Sequence, residues 1–285
     1  EEEPADGLYA MMRINGYLGY SFFFDNEGVL RYEMVLEGYG PDRILFDGDT
    51  IVTCVSNGKL ARLNGLGQVE QVYDLGEYAL HHDIGFGQDG EILALAELED
   101  LLISIDMESG EVTQLIDLKE AMSGYYEMTR PISATDDFFW QAGEWDWIHL
   151  NSLQYMEEDD SLIVSSRETS TIIKLKNIHG DTELDWLAGD SRFWDDTPYA
   201  DYCLEQEGDF VPQYGQHCVE YLYDGDEEGV YYLAIYNNNY WSLNSRDDFD
   251  LELADSVGTD LYGLGDETSQ VYVYKIDENN GTFAL

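Results

Sequence analysis

Basic residues are scarce in this chain. Thirteen lysines and arginines face 60 aspartates and glutamates, for a formal net charge of −47 at pH 7. A surface of that sign repels nucleic acid and anionic membranes, so neither is expected as a partner. It keeps the protein soluble and suits a salty or extracellular setting, where counter-ions screen self-repulsion. Long apolar runs are missing too: no stretch of about 18 uninterrupted apolar residues occurs, so no membrane span is expected. The start, Glu1-Glu2-Glu3-Pro4, is not a signal peptide, and an exported protein would already have lost its targeting segment. Three cysteines (Cys54, Cys203 and Cys218) cannot build a disulfide framework. One bridge, Cys203–Cys218, would brace the segment carrying His217; free buried thiols are the alternative.

What is present suits strands. Hydrophobic residues make up 44% of the 285, ample for a sizeable core. With 22 tyrosines, 11 phenylalanines, 6 tryptophans and only 5 prolines, the composition favours pleated structure over disorder. A weak internal repeat organises it. Each unit carries a tight turn: Asp25-Asn26-Glu27-Gly28, Asn64-Gly65-Leu66-Gly67, Asp106-Met107-Glu108-Ser109-Gly110, Asn177-Ile178-His179-Gly180 and Asp277-Glu278-Asn279-Asn280-Gly281. Asn or Asp with Gly supplies the positive-φ residues that hairpins need.

Gly28, Gly67 and Gly110 stand 39 and 43 residues apart, near the roughly 40–45 residues of a four-stranded propeller blade. Later gaps of 70 and 101 residues reflect excursions at 117–145, 190–215 and 237–266, the first with a short helix expected at Leu118–Met122. Long loops on a rigid repeat scaffold tend to lie on its functional face. The chain therefore reads as all-β: a single β-propeller domain over residues 1–285, built of four-stranded blades, with about five units visible. A final blade is expected to be missing, because Gly281–Leu285 stops partway through an outer strand and an open ring leaves edges unprotected.

Five histidines are present. His81 with His82, then His149, then His217 precede or lie on the first strand of successive units, the strand that lines a propeller's channel. His179 falls in a turn and is expected to be solvated and inert. A strand from Trp147 to Tyr155, with a period of two, puts His149 and Asn151 on one face. With Arg167 at a nearby hairpin end, that pair suits an oxyanion; a polar strand face beside a turn arginine is the plain alternative. Converging imidazoles would equally hold a metal such as zinc. Otherwise one imidazole is a nucleophile while the rest and Arg167 clamp an anion. Arg167 favours the second chemistry, since a guanidinium repels a metal cation but pairs with a multi-oxygen anion. No metal and no cofactor are expected.

His81-His82-Asp83-Ile84 followed by Gly90-Glu91-Ile92-Leu93-Ala94-Leu95, then Asp146-Trp147-Ile148-His149-Leu150-Asn151-Ser152, Ser165-Ser166-Arg167, Asp185-Trp186-Leu187-Ala188-Gly189 and Gly215-Gln216-His217 together resemble the arylsulfate sulfotransferase family. Its members do not depend on the nucleotide sulfate donor. The similarity runs from about Asp25 to Ile276. It implies a six-bladed β-propeller, usually exported to the periplasm or beyond, that moves a sulfuryl group from an aryl sulfate donor to a phenol acceptor through a sulfohistidine. It implies His217 as the nucleophile and His149 with Arg167, 18 residues apart, as the pair on the sulfuryl oxygens. His82, or its neighbour His81, is implied as a further sulfate-contacting or proton-transferring group. Asn151 would be an extra donor. The family's Asp-Asn-Gly stretch appears here as Tyr236-Asn237-Asn238-Asn239, and its last blade and extra N-terminal domain are not matched.

Sulfuryl transfer, like phosphoryl transfer, has a loose transition state, so catalysis is mostly positioning and charge stabilisation. A neutral His217 would attack sulfur, and His82 or His149 would manage the phenol's proton, making the rate depend on pH near neutrality. Tyr125, Tyr126, Phe138, Phe139, Trp140, Phe193 and Trp194 are candidates for gripping phenol rings, packing on the rim being the alternative for each. A non-catalytic secreted binding or assembly module, and a metal-dependent hydrolase on the same imidazoles, are the competing functions. The sequence leaves self-association into a homo-oligomer open. The acidic shell opposes an anionic donor, so turnover with an aryl sulfate at low salt should rise with ionic strength. A rate that only falls as salt is added would count against a screening-limited encounter.

Overall fold

The computed structural model describes residues 7, 9–15, 18–37, 43–96, 100–130, 145–241, 243, 245–249 and 268–285. Their strands form five sheets. The first joins β1 (Tyr9–Asn15), β2 (Leu18–Phe24) and β3 (Leu30–Glu37). The second joins β4 (Ile44–Asp47), β5 (Thr50–Ser56), β6 (Lys59–Leu63) and β7 (Val69–Asp74). The third joins β8 (Leu80–Phe86), β9 (Ile92–Ala96), β10 (Leu101–Ile105) and β11 (Val112–Asp117). The fourth joins β12 (Leu150–Met156), β13 (Ser161–Ser166), β14 (Thr171–Lys176) and β15 (Glu183–Ala188). The fifth contains β16 (Glu205–Glu207), β17 (His217–Asp224), β18 (Val230–Asn237), β19 (Gln270–Asp277) and β20 (Thr282–Ala284), in the order β16-β20-β19-β18-β17.

Every pair is antiparallel between chain neighbours except β16–β20, which is parallel. These are the meandering blades of an all-β propeller, with β4, β8, β12 and β17 as the first, channel-side strands of their blades. The repeated turns join the third and fourth strands of each four-stranded blade. In the first sheet the same turn joins β2 to β3, so the three strands described there correspond to the outer three of a blade.

The turn chemistry is local. Asp106 Oδ1 accepts from the backbone N–H of Glu108 (2.9 Å) and Ser109 (2.7 Å), while the N–H of Gly110, at φ 78°, donates to the Asp106 carbonyl at 2.8 Å. Asn64 and Gly67 repeat the pattern. In the fourth blade the left-handed residue is Asn177, at φ 54°, rather than the glycine.

Alternation explains the packing. In β13, Leu162 and Val164 join the core shared with the third blade (Leu93, Leu95, Leu150, Leu153), while Ile163 joins Val219, Leu233 and Tyr274 in the core shared with the fifth. A strand buried on both faces reads as an uninterrupted aliphatic run, which Leu162-Ile163-Val164 is. The blades come close at Gly85, where a Cβ would lie 2.6 Å from Leu153 Cδ1; a side chain there would push β8 away from β12.

The helix expected at Leu118–Met122 is present as α1 (Leu118–Ala121), continued by α2 (Ser123–Tyr126). Asp117 caps it by accepting from the N–H groups of Lys119 and Glu120. Three aromatics expected to grip substrate do something else. Tyr125, Phe193 and Trp194 are buried in the core with Trp147 and Trp241, where a large ring stabilises more by leaving water than by waiting for a ligand. Half-buried Tyr126 stacks on Trp145 with ring centroids 5.3 Å apart. Phe138, Phe139 and Trp140 lie outside the described residues. The Cys203–Cys218 bridge is absent, and both thiols are free. Cys203 bridges to Leu187 at the outer strand β15, whereas Cys218 lies on the channel-side strand of the next blade.

His179 is exposed, as expected, but it is not idle. Its Nδ1 lies 2.5 Å from Asp160 Oδ1 and its Nε2 2.6 Å from Glu91 Oε1, clasping the third blade to the fourth. Burial alone would lower its pKa, but the two carboxylates outweigh burial and raise it. A histidine raised on folding stabilises fully below its unfolded value of about 6.5, and that contribution disappears as pH climbs through the folded value. The melting-temperature gap between wild type and His179→Gln should therefore be wider at about pH 6 than at about pH 9. An equal gap at both would deny the clasp its charge.

Candidate active site

The four other imidazoles converge, although His81 and His217 are 136 residues apart in the chain. Ring centroids of His81 and His82 are 3.8 Å apart, His81 and His149 5.3 Å, His82 and His149 5.0 Å, His82 and His217 5.9 Å, and His149 and His217 6.5 Å. Each comes from the start of a channel-side strand, and at each of these places the ladder breaks. The register shifts between Leu80 and Ile84, between Leu150 and Ser152, and between His217 and Glu220. A non-glycine residue with positive φ lies in or just before every break: His82 at 58°, His149 at 47° and Cys218 at 56°. Left-handed backbone costs such residues about 1 kcal/mol or more, and bulges of this kind re-aim side chains beside active sites.

The bulge also corrects the expected strand. β12 begins at Leu150, so Trp147–His149 precede it, and His149 and Asn151 do not share a face by simple alternation. Asn151 instead turns its Nδ2 to the carbonyl of Gln216, 2.8 Å away. It positions the residue before His217.

Further hydrogen bonds lock the channel-side strands together. Asp83 Oδ2 accepts from the Leu153 N–H (2.9 Å) and Ser152 Oγ from the Val219 N–H (2.8 Å). Gln216, fully buried, donates from Nε2 to Ser165 Oγ, the Ser166 carbonyl and the Thr171 carbonyl at 3.2, 3.0 and 3.1 Å. The strand bearing His217 is thereby fastened to the hairpin bearing Arg167. The Arg167 N–H in turn donates to the His149 carbonyl at 3.0 Å. Gly215, at φ 58°, is obligatory, since a Cβ would lie 2.0 Å from the Tyr240 carbonyl oxygen.

Sequence reasoning missed Asp146, Gly215 and Asn238. Asp146 Oδ2 lies 2.5 Å from His149 Nδ1 and 3.4 Å from Arg167 Nη2. Burial would raise its pKa, but His149 and Arg167 hold it below the usual carboxylate value, so it is an anion. Its place three residues before the histidine in Asp-Trp-Ile-His was the available signal. His217 Nδ1 lies 3.2 Å from the Gly215 carbonyl oxygen and 3.0 Å from Asn238 Nδ2. The carbonyl can only accept and the Asn238 amide nitrogen can only donate, so the two contacts ask opposite tautomers of Nδ1. Asn238 belongs to the Asn-Asn-Asn stretch that departs from the family pattern.

Crowding sets the charge. Burial, then the neighbouring histidines, lower His81 to about 4 and His82 to about 2. Burial and His149 lower His217 to about 4. These three rings are neutral at pH 7, as a nucleophile requires. Ring 13C or 15N shifts followed by NMR should show His81, His82 and His217 unprotonated down to about pH 5, while His179 titrates above its ordinary value of about 6.5. A His217 midpoint near that ordinary value would contradict the crowded site.

The arylsulfotransferase (ASST) family model matches residues 1–285. No curated protein matches the chain. Among solved structures, the chain is similar to a putative 6-phosphogluconolactonase from Bacteroides fragilis NCTC 9343, at 15% identity, 96% coverage of this chain, 68% of that one and a TM-score of 0.44. A second putative 6-phosphogluconolactonase, from Bacteroides uniformis ATCC 8492, matches at 14% identity over 77% of this chain and 60% of that one, with a TM-score of 0.39. A virginiamycin B lyase from Staphylococcus aureus matches at 13% identity over 63% and 55%, with a TM-score of 0.38. The chain thus spans as little as 55% of the length of these structures, and likenesses this distant say nothing of activity.

Proposed function

The chain belongs to the arylsulfotransferase family, and on that premise we propose that it transfers a sulfuryl group from an aryl sulfate to a phenol in two steps, through a sulfohistidine at His217. The observation that carries this reading is the meeting of a neutral imidazole with three others near the starts of adjacent channel-side strands, beside Arg167 of the β13–β14 hairpin.

His217 Nε2 attacks sulfur in line, the N–S bond forms, and the S–O bond to the aryl group breaks. The Gly215 carbonyl accepts the Nδ1–H and takes up the positive charge that develops on the ring. Arg167 holds the sulfuryl oxygens through paired hydrogen bonds. His149 is the proton carrier. Asp146 occupies its Nδ1 and stabilises the imidazolium, leaving Nε2 to protonate the departing phenolate. In the second step the same Nε2 takes the proton of the acceptor phenol, whose oxygen attacks sulfur and releases neutral His217. His81 and His82, neutral at pH 7, donate or accept hydrogen bonds rather than carry the proton. The reaction runs outside the cytoplasm, where salt screens the acidic shell.

Incubating the protein with an aryl sulfate and no acceptor should add one sulfuryl mass, and His217→Ala should abolish that adduct. Arg167→Lys should keep the adduct but slow its formation by about 100-fold, since a single ammonium cannot replace a bidentate donor on a charge-developing oxygen. Intact protein that never takes up sulfuryl would sink this reading in favour of a binding module.

A further inference from the structure

Three of the four imidazoles have a geometry that an anion site does not require. One ring nitrogen from each of His81, His82 and His149 lies within 4.8 Å of the other two. Behind His149, Asp146 accepts at Nδ1 from 2.5 Å. A carboxylate holding the far nitrogen of a histidine is the usual outer support of a metal-bound imidazole. We propose that His81, His82 and His149 bind one divalent transition-metal ion of the zinc class, and that the bound ion excludes the sulfuryl group.

Three nitrogens favour zinc, cobalt, nickel or copper over magnesium or calcium, which take oxygen ligands. Bonds of about 2.0–2.1 Å require the nitrogens to draw in by roughly 1 Å, within the reach of side-chain rotation, and leave a fourth position for water. Arg167 was the reason for setting a metal aside on sequence alone. In the fold its Nη2 lies 3.4 Å from Asp146 Oδ2 and 3.8 Å from Glu168 Oε2, so two carboxylates offset its charge. The net charge of −47 attracts the cation that it makes hard for a sulfate ester to approach. His217 stands off at 5.9 and 6.5 Å from the rings of His82 and His149 and is outside the ligand set.

The metal half of the proposal stands on geometry alone; the exclusion half rests on the sulfotransferase reading. Titrating the full chain with Co2+ separates them. One ion per chain should give the intense visible absorption of tetrahedral nitrogen ligation, displaced by Zn2+, whereas ions scattered over surface carboxylates absorb only weakly. His81→Ala and His82→Asn, each checked for a native melting transition, should lose the band; His217→Ala should keep it. No band, or a band that survives both ligand variants, overturns the site. With activity as the readout, Zn2+ should raise KM for the aryl sulfate at least 10-fold while leaving kcat unchanged, and a chelator should reverse it. A cobalt band with no such rise overturns the exclusion alone. A cobalt band in a protein that never acquires sulfuryl would retain the site and discard the sulfotransferase.

Discussion

Four imidazoles whose neighbouring centroids lie 3.8 to 6.5 Å apart cannot all be charged. Two like charges about 5 Å apart repel by of order 3 kcal/mol at the effective dielectric of a protein site. Burial penalises each proton further. His81, His82 and His217 are therefore neutral rings beside a permanently charged guanidinium, with Asp146 as the counter-charge. Chemistry at His217 descends from that one constraint, since it uses a lone pair that an ordinary surface histidine would share with a proton near neutrality.

Such crowding is unfavourable unless the backbone enforces it. Three channel-side strands, β8, β12 and β17, give up regular pairing near their starts, with His82, His149 and Cys218 in left-handed backbone there. The strain is offset by bonds that run between blades rather than within them: Asp83 to Leu153, Asn151 to Gln216 and Ser152 to Val219. Gln216 fastens the nucleophile's strand to the hairpin of Arg167 through a side chain that is fully buried. A propeller suits this work because adjacent blades bring their first strands together, whatever length of chain separates them.

The shell and the site make opposite electrostatic demands. The chain as a whole carries a net charge of −47, a field that repels anions. Basic residues are spent sparingly, several of them on fixed structural pairs: Lys174, almost fully buried, joins Asp159 and Glu278 at 2.7 Å each, linking the fourth blade to the fifth. Arg43 spans Glu220 and Asp83 across the channel-side strands. Arg167 is different in that its guanidinium sits among the imidazoles, with Asp146 between it and His149.

Much of this was legible beforehand because it is local. The Asx-Gly turns, the 39- and 43-residue spacing and the aliphatic runs are encoded within a few residues of one another, and they specify blades. So was the placing of His81, His82, His149 and His217 at the starts of channel-side strands. The sequence alone determined a strand-built repeat, a large excess of acidic residues and which histidines stand near the starts of the blades' first strands. The tertiary structure decided the rest. Positive φ at His149 broke the alternation that would have paired it with Asn151, and left-handed backbone at a histidine has no composition signature. Asp146, Asn238 and the Gly215 carbonyl gained their roles from neighbours that only folding supplies. Tyr125, Phe193 and Trp194 went into the core, and His179 found two carboxylates on different blades. Hydrogen bonding, proximity and charge at this site are properties of residues distant in the chain, and local preference carries no record of them.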